Sequence, residues 1–128
     1  MWIFTRHGFI SAVSALRANG TVNKRQVVVR ARTAGHLDAI LAAVGLDEAR
    51  SEVRMSTDRD YAYRVVLDKR QFVALVSAAA ADIDYPNFKS ECQRAHPSDR
   101  AYHQMLATSW HAGYDMQVAH LADLDHDD

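Results

Sequence analysis

The sequence contains one cysteine, two prolines and five glycines in 128 residues. A lone Cys92 cannot close a disulfide within the chain or build a cysteine-based zinc finger, which excludes the secreted disulfide scaffolds and fits a reducing compartment. So little proline and glycine excludes collagen-like repeats and low-complexity linkers. Long hydrophobic runs are missing too. Apolar stretches such as Phe72 to Ala81 fall well short of the ~20 residues a membrane helix needs, and no basic N-terminal segment leads into an unbroken apolar run. The expectation is a soluble, cytoplasmic protein with no membrane partner. What is present, 48% hydrophobic and 24% charged residues, suits a globular chain, and one of this length buries roughly two-thirds of its unfolded surface. A single domain over residues 1–128 is expected.

The formal net charge of −1 conceals an asymmetry. Residues 1–70 hold twelve Lys or Arg against seven Asp or Glu, a net of +5, whereas residues 71–128 hold three against nine, a net of −6. Such a split marks either a basic binding face or two halves that neutralise each other within the fold. The end, Asp123-Leu124-Asp125-His126-Asp127-Asp128, reads as a short acidic tail that frays.

Two aromatic or β-branched runs, Trp2-Ile3-Phe4-Thr5 and Phe9 to Leu16, flank Arg6-His7-Gly8 and predict a hairpin. Asn19-Gly20 and Asn23-Lys24 mark a polar loop before a strand over Gln26 to Arg32, whose later positions alternate as a half-exposed strand should. Thr33 suits the N-cap of a helix over 34–44, where Leu37, Ile40, Leu41 and Val44 recur at helical spacing and Gly45 supplies the stop. A short strand at Glu52 to Met55 and a stronger one at Tyr61 to Leu67 flank the polar loop Ser56 to Asp60. Asp68 caps a second helix through Phe72, Leu75 and Val76 to Asp82. Asp84-Tyr85-Pro86-Asn87 breaks it, because the residue before proline is pushed out of the helical region. A short helix with Phe88 and Cys92 follows, then a last one with Pro97 in its first turn and Tyr102, Leu106, Trp110 and Tyr114 on one flank. The fold expected is α+β, with an antiparallel or mixed sheet. Residues 26–82 read as a ferredoxin-like β-α-β-β-α core, joined by an N-terminal β-hairpin and extra C-terminal helices.

The opening Met1-Trp2-Ile3-Phe4-Thr5, the strand Val28 to Arg32, the pair Asp60-Tyr61 with Arg64, and the segment Asp84-Tyr85-Pro86-Asn87-Phe88-Lys89 together resemble a small family of uncharacterised bacterial proteins. The resemblance covers most of the chain. It implies a bacterial or phage-borne single domain and carries over no activity and no site.

Three constellations invite chemistry. Arg6-His7-Gly8 after a first strand looks like the signature of histidine phosphatases, in which the histidine is phosphorylated and arginines neutralise the phosphoryl oxygens. That makes a phosphoryl-transfer or hydrolytic enzyme using His7 the alternative reading, although no second histidine and further arginines follow in the expected pattern. The competing reading is a plain hairpin turn with Arg6 and His7 in solvent. Seven histidines suggest metal, but His103 and His111 lie roughly 12 Å apart along a helix, and the i,i+4 pairs Asp99/His103 and His111/Asp115 supply only two ligands each. No metal and no cofactor is expected. Asp84 to Lys89 reads as a structural corner, with Cys92 buried beside it.

The basic strands carry more weight. In the third strand Gln26, Val28, Arg30 and Arg32 point one way while Val27, Val29 and Ala31 point the other. In the fifth, Arg64 opposes a face holding Tyr61, Tyr63, Val65 and Leu67. With helices on the apolar face, Arg30, Arg32 and Arg64 share the other, where Trp2 or Phe4 could join them. Such a surface suits single-stranded nucleic acid or an acidic protein. Arginines paired with Glu52 or Asp60 would instead be structural. The reading is a small non-enzymatic binding or regulatory protein whose partner-binding residues are Arg30, Arg32 and Arg64, with the partner, protein or nucleic acid, left open and a homodimer compatible with the sequence.

Overall fold

In the computed structural model, which describes residues 1–126, Trp2–Thr5 (β1) and Gly8–Leu16 (β2) form the expected hairpin. The chain then turns at Gly20, whose φ of +83° is costly for any residue with a Cβ. It returns as Val22–Ala31 (β3), a longer strand than expected because Val22 and Asn23 pair with β2 beyond a register shift at Ser14/Ala15. Helix α1 (Ala34–Ala43) starts where Thr33 Oγ1 accepts the His36 N–H, and Gly45 at φ +76° ends it. One turn of helix, α2 (Asp47–Arg50), precedes the edge strand β4 (Arg54–Met55), and β5 (Tyr63–Asp68) runs straight into α3 (Lys69–Ala81). The Asp68 N–H donates to Gln71 Oε1 at 2.9 Å, closing the first turn of α3.

The chain is α+β, with a five-stranded, wholly antiparallel sheet in the order β1-β2-β3-β5-β4. β5 is inserted between β3 and β4, so β3 and β4 run parallel with α1 and α2 in the connection. Among the described residues no strand follows α3, and β2 occupies the other side of β3.

Alternation divides the sheet into two chemically distinct faces. Ile10, Ala12, Val27, Val29, Ala31, Val65 and Leu67 point to one side and form a single core with Leu37, Ile40 and Leu41 of α1 and Phe72 and Leu75 of α3. Tyr63, expected in this core, packs against it half-buried.

Met1–Pro86 is one compact unit, and the chain from Asn87 onward forms a second. In the second, Asn87 Oδ1 accepts the Ser90 N–H and caps α4 (Phe88–Ala95), which contains fully buried Cys92. The last helix, α5 (Arg100–His126), begins three residues after Pro97 rather than around it, with Asp99 Oδ1 accepting the Tyr102 N–H. Asp123 to His126, expected to fray, continue this helix; Asp127 and Asp128 lie outside the described residues.

Candidate functional site

The sheet register places a row of side chains on the face opposite the α1/α3 core. Trp2 pairs with Ser11, Ser11 with Arg30, Arg30 with Arg64, and Arg64 with Arg54, one residue from each strand. Direct cross-strand partners share a face, with Cβ atoms about 5 Å apart, so three guanidinium groups stand in adjacent positions. Like charges so placed repel, and a fold without use for them would put carboxylates between them. Among the described residues arginine–carboxylate pairs form instead at Arg6, Arg50 and Arg94. No carboxylate lies within ion-pair distance of Arg30, Arg32 or Arg64 there, although the charge of Arg64 helps to lower the pKa of the Asp58 carboxyl in the β4–β5 loop.

Tyr61 holds the arginines in place. Tyr61 is 3% exposed, and its ring meets two guanidiniums, Arg30 at 4.5 Å and Arg32 at 4.4 Å from the centroid. Cation–π contact fixes the planes while leaving outward N–H groups unspent. Arg30 Nη2 donates to Ser11 Oγ at 2.8 Å, Arg32 Nη1 to the Asp60 carbonyl at 2.7 Å, and Arg64 Nη2 more loosely to the Tyr61 carbonyl at 3.4 Å. The buried Nε atoms of Arg30 and Arg64 have no hydrogen-bond partner.

Aromatic rings continue from Tyr61 across the same face. Phe9 lies 6.5 Å from Tyr61, Phe4 stacks on Phe9 at 4.6 Å, and Trp2 meets Phe9 edge-on at 6.0 Å. Phe9 is buried, whereas Trp2 is 71% exposed. A neighbouring row, Val13 opposite Val28 opposite Val66, adds an apolar strip whose outer two members are exposed.

The expectation from sequence is thus amended in three respects. Arg30, Arg32 and Arg64 do share one face, but only Arg32 is exposed; the other two are half-buried. The alternative of ion pairs with Glu52 or Asp60 is not what is found, since Arg32 reaches the Asp60 backbone carbonyl rather than its carboxylate. Tyr61, assigned to the core face by extrapolating β5 backwards, belongs with the arginines because the strand begins only at Tyr63. Nothing in the sequence marks Arg54 or Phe9 as a member of this face. The aromatic run around Phe9 signals a strand, but only the β4–β5 register could have placed Arg54 beside Arg64.

The Arg6-His7-Gly8 turn has a different character. Arg6 is buried, not solvated: Nε meets Asp82 Oδ2 at 2.7 Å, Nη2 meets the Asp82 carbonyl at 2.6 Å and Asp84 Oδ1 at 3.2 Å, and the guanidinium lies over the Tyr85 ring at 5.3 Å. The cation a phosphoryl site would need is already matched by two carboxylates. His7 Nε2 lies 3.8 Å from Asp82 Oδ2. Gly8 has φ +148°, and a Cβ there would sit 2.5–2.8 Å from the His36 ring, whose Nδ1 accepts the Phe9 N–H at 3.3 Å. Asp82 and Asp84 therefore tie the turn to the end of α3.

Elsewhere, a cavity of about 400 Å³ is lined by Ala34, Gly35, Asp38, Arg50, Val53, Met55 and Tyr63. Its one cation, Arg50, is forked by Asp38 at 2.6 Å and paired with Asp47 at 3.2 Å, which raise its pKa further. In the β4–β5 loop the Ser56 hydroxyl holds the Asp58 carboxyl below its ordinary range. Among the described residues no three His, Cys, Asp or Glu side chains converge, and no helix is long and apolar enough to cross a membrane. Compared with protein-family models, curated proteins and solved structures, the chain matches none.

Proposed function

We propose that this protein is a non-enzymatic binding protein that takes up single-stranded nucleic acid on the face bearing Arg30, Arg32, Arg64 and Arg54. The observation that carries the reading is the row of adjacent arginines, none of which is ion-paired with a carboxylate among the described residues. Such a row destabilises the free protein and is compensated when an anion arrives. Nucleic acid is favoured over an acidic protein because the cations are interleaved with rings: exposed Trp2 offers a stacking platform, and the guanidiniums held on Tyr61 keep N–H groups for phosphates. Four strand spacings separate Trp2 from Arg54, about 19 Å, which suits roughly three or four splayed nucleotides.

The β3-α1-β4-β5-α3 order, with β5 between β3 and β4, supports a ferredoxin-like reading in which β2 stands where the final strand would lie. The alternative enzymatic use of His7 loses support because Arg6 is engaged by Asp82 and Asp84. The resemblance to bacterial proteins suggests a bacterial or phage setting, and a single buried cysteine fits the cytoplasm.

The test is fluorescence anisotropy with labelled single-stranded and duplex oligonucleotides over a salt series. Single strands should bind more tightly than duplex, and each of Arg32→Ala and Arg64→Ala should reduce the slope of log K against log salt by about 0.7. Trp2→Ala should weaken binding by about 1–3 kcal/mol without changing that slope. Absence of binding at low salt, or equal binding by the triple Arg30→Ala/Arg32→Ala/Arg64→Ala variant, overturns the reading.

A further inference from the structure

α5 is 27 residues long, about 40 Å. Tyr102 and Leu106 near its start are buried, yet from Thr108 to His126 every residue is exposed. A lone helical stretch of this length containing Thr108, Ser109 and Gly113 is marginal in water. It nevertheless displays Trp110, Tyr114, Val118, Leu121 and Leu124 to solvent. Ala107, Trp110, Tyr114, Gln117, Leu121 and Leu124 follow one another at intervals of three, four, three, four and three. That is the seam of a two-stranded coiled coil, with Gln117 as one polar position within it. Trp110 and Tyr114 already stack on each other, centroids 5.4 Å apart and rings 4° from parallel, and Lys89 Nζ lies 4.8 Å from the Trp110 ring centroid.

Charge selects the occupant. Beyond Arg100 the helix has no lysine or arginine, and it carries Asp115, Asp123 and Asp125, so an anionic lipid surface or a nucleic acid is repelled. The opposite end of the same stretch is the more basic one, with Lys89 over Trp110 and with Arg94 and Arg100 against Glu91 and Asp99. A parallel second helix would set Asp123 and Asp125 against their own copies, whereas an antiparallel one sets them against the basic end and opposes the helix dipoles.

We infer that the exposed part of α5 is a self-association surface, on which a second copy of this chain packs its own α5 antiparallel. The seam then pairs Trp110 with the second copy's Leu121, Tyr114 with its Gln117 and Ala107 with its Leu124. Two helices in contact over ~30 Å bury on the order of 1,200 Å² in total, the lower bound for a specific interface. This surface belongs to the second compact unit and the arginine-bearing face to the first, and the inference stands whether or not nucleic acid binds there.

Sedimentation equilibrium from about 1 to 500 μM tests it. A monomer–dimer equilibrium is expected, and Tyr114→Glu/Leu121→Glu should raise the dissociation constant by about a hundredfold or more while leaving thermal unfolding of the sheet unit unchanged. Direction is read by oxidising an equimolar mixture of Ala107→Cys and Leu124→Cys chains, Cys92 being buried. A disulfide joining the two variants is expected. A monomer throughout the range, a dimer indifferent to the two glutamates, or self-linked Ala107→Cys chains instead would each overturn the inference.

Discussion

Arg30 of β3 and Arg64 of β5 are direct cross-strand partners with no carboxylate between them, and the ring of Tyr61 supports the guanidinium of Arg30 at 4.5 Å. Cross-strand repulsion of this kind costs a few tenths to one kcal/mol. The fold carries that cost in the free state, which makes a requirement for positive charge on this face the economical explanation.

Removing one of the two charges should therefore separate folding from binding. Arg64→Met keeps the apolar stem over the sheet and relieves the repulsion, so the urea midpoint should hold or rise by the equivalent of about 0.2–1 kcal/mol while oligonucleotide affinity falls. A loss of stability above about 2 kcal/mol would show that Arg64 serves the fold instead.

Gly8 is bound to its position by both conformation and space. Gly8→Ala adds a Cβ within 2.8 Å of His36 Cγ, Cβ and Cδ2 at a φ of +148°, and should cost about 2–4 kcal/mol. In a His36→Gly background the same change should cost less, because both the ring and the Cβ that the new methyl would meet are gone and only the backbone strain remains. Equal penalties in the two backgrounds, measured by chemical denaturation, would show that the ring is not what restricts residue 8.

The Arg6 side chain is 10% exposed, against 44% for Asp82 and 75% for Asp84. Arg6→Met should destabilise by about 2–3 kcal/mol, since it removes the buried centre of the cluster. Asp84→Asn should cost less than about 1 kcal/mol, because an ion pair in water contributes little. If His7 and Arg6 formed a phosphoryl site, incubation with a labelled phosphoryl donor would label His7; no label is expected.

Within the core, Leu41→Ala should cost about 2–5 kcal/mol, as its side chain is fully buried among α1, α3 and the sheet. Val66→Ala, on the opposite face and 46% exposed, should stay within about 0.5 kcal/mol. Comparable losses at the two positions would mean that the inner and outer faces have been interchanged.

Much of the framework is written locally. Alternation in Val27 to Ala31, the helical spacing of Leu37, Ile40 and Leu41, and the caps at Thr33 and Asp68 each depend on neighbours within a few residues, so they could be read from the chain and they place the core. What could not be read depends on partners distant in sequence. Arg6 was assigned to solvent because nothing near it is acidic; its partner Asp82 is 76 residues away. Tyr61 was assigned to the core because alternation was carried past the first paired residue of β5, where the chain bends and turns the ring under Arg30 and Arg32. Arg54 became a neighbour of Arg64 only through strand pairing, and a shift of one residue in that register would have sent every side chain of β4 to the other face. Local sequence determined which segments are strands and helices and which side of each is apolar. The array of arginines was decided by tertiary structure alone, because hydrogen-bond register between strands brings together side chains that no periodicity along the chain relates.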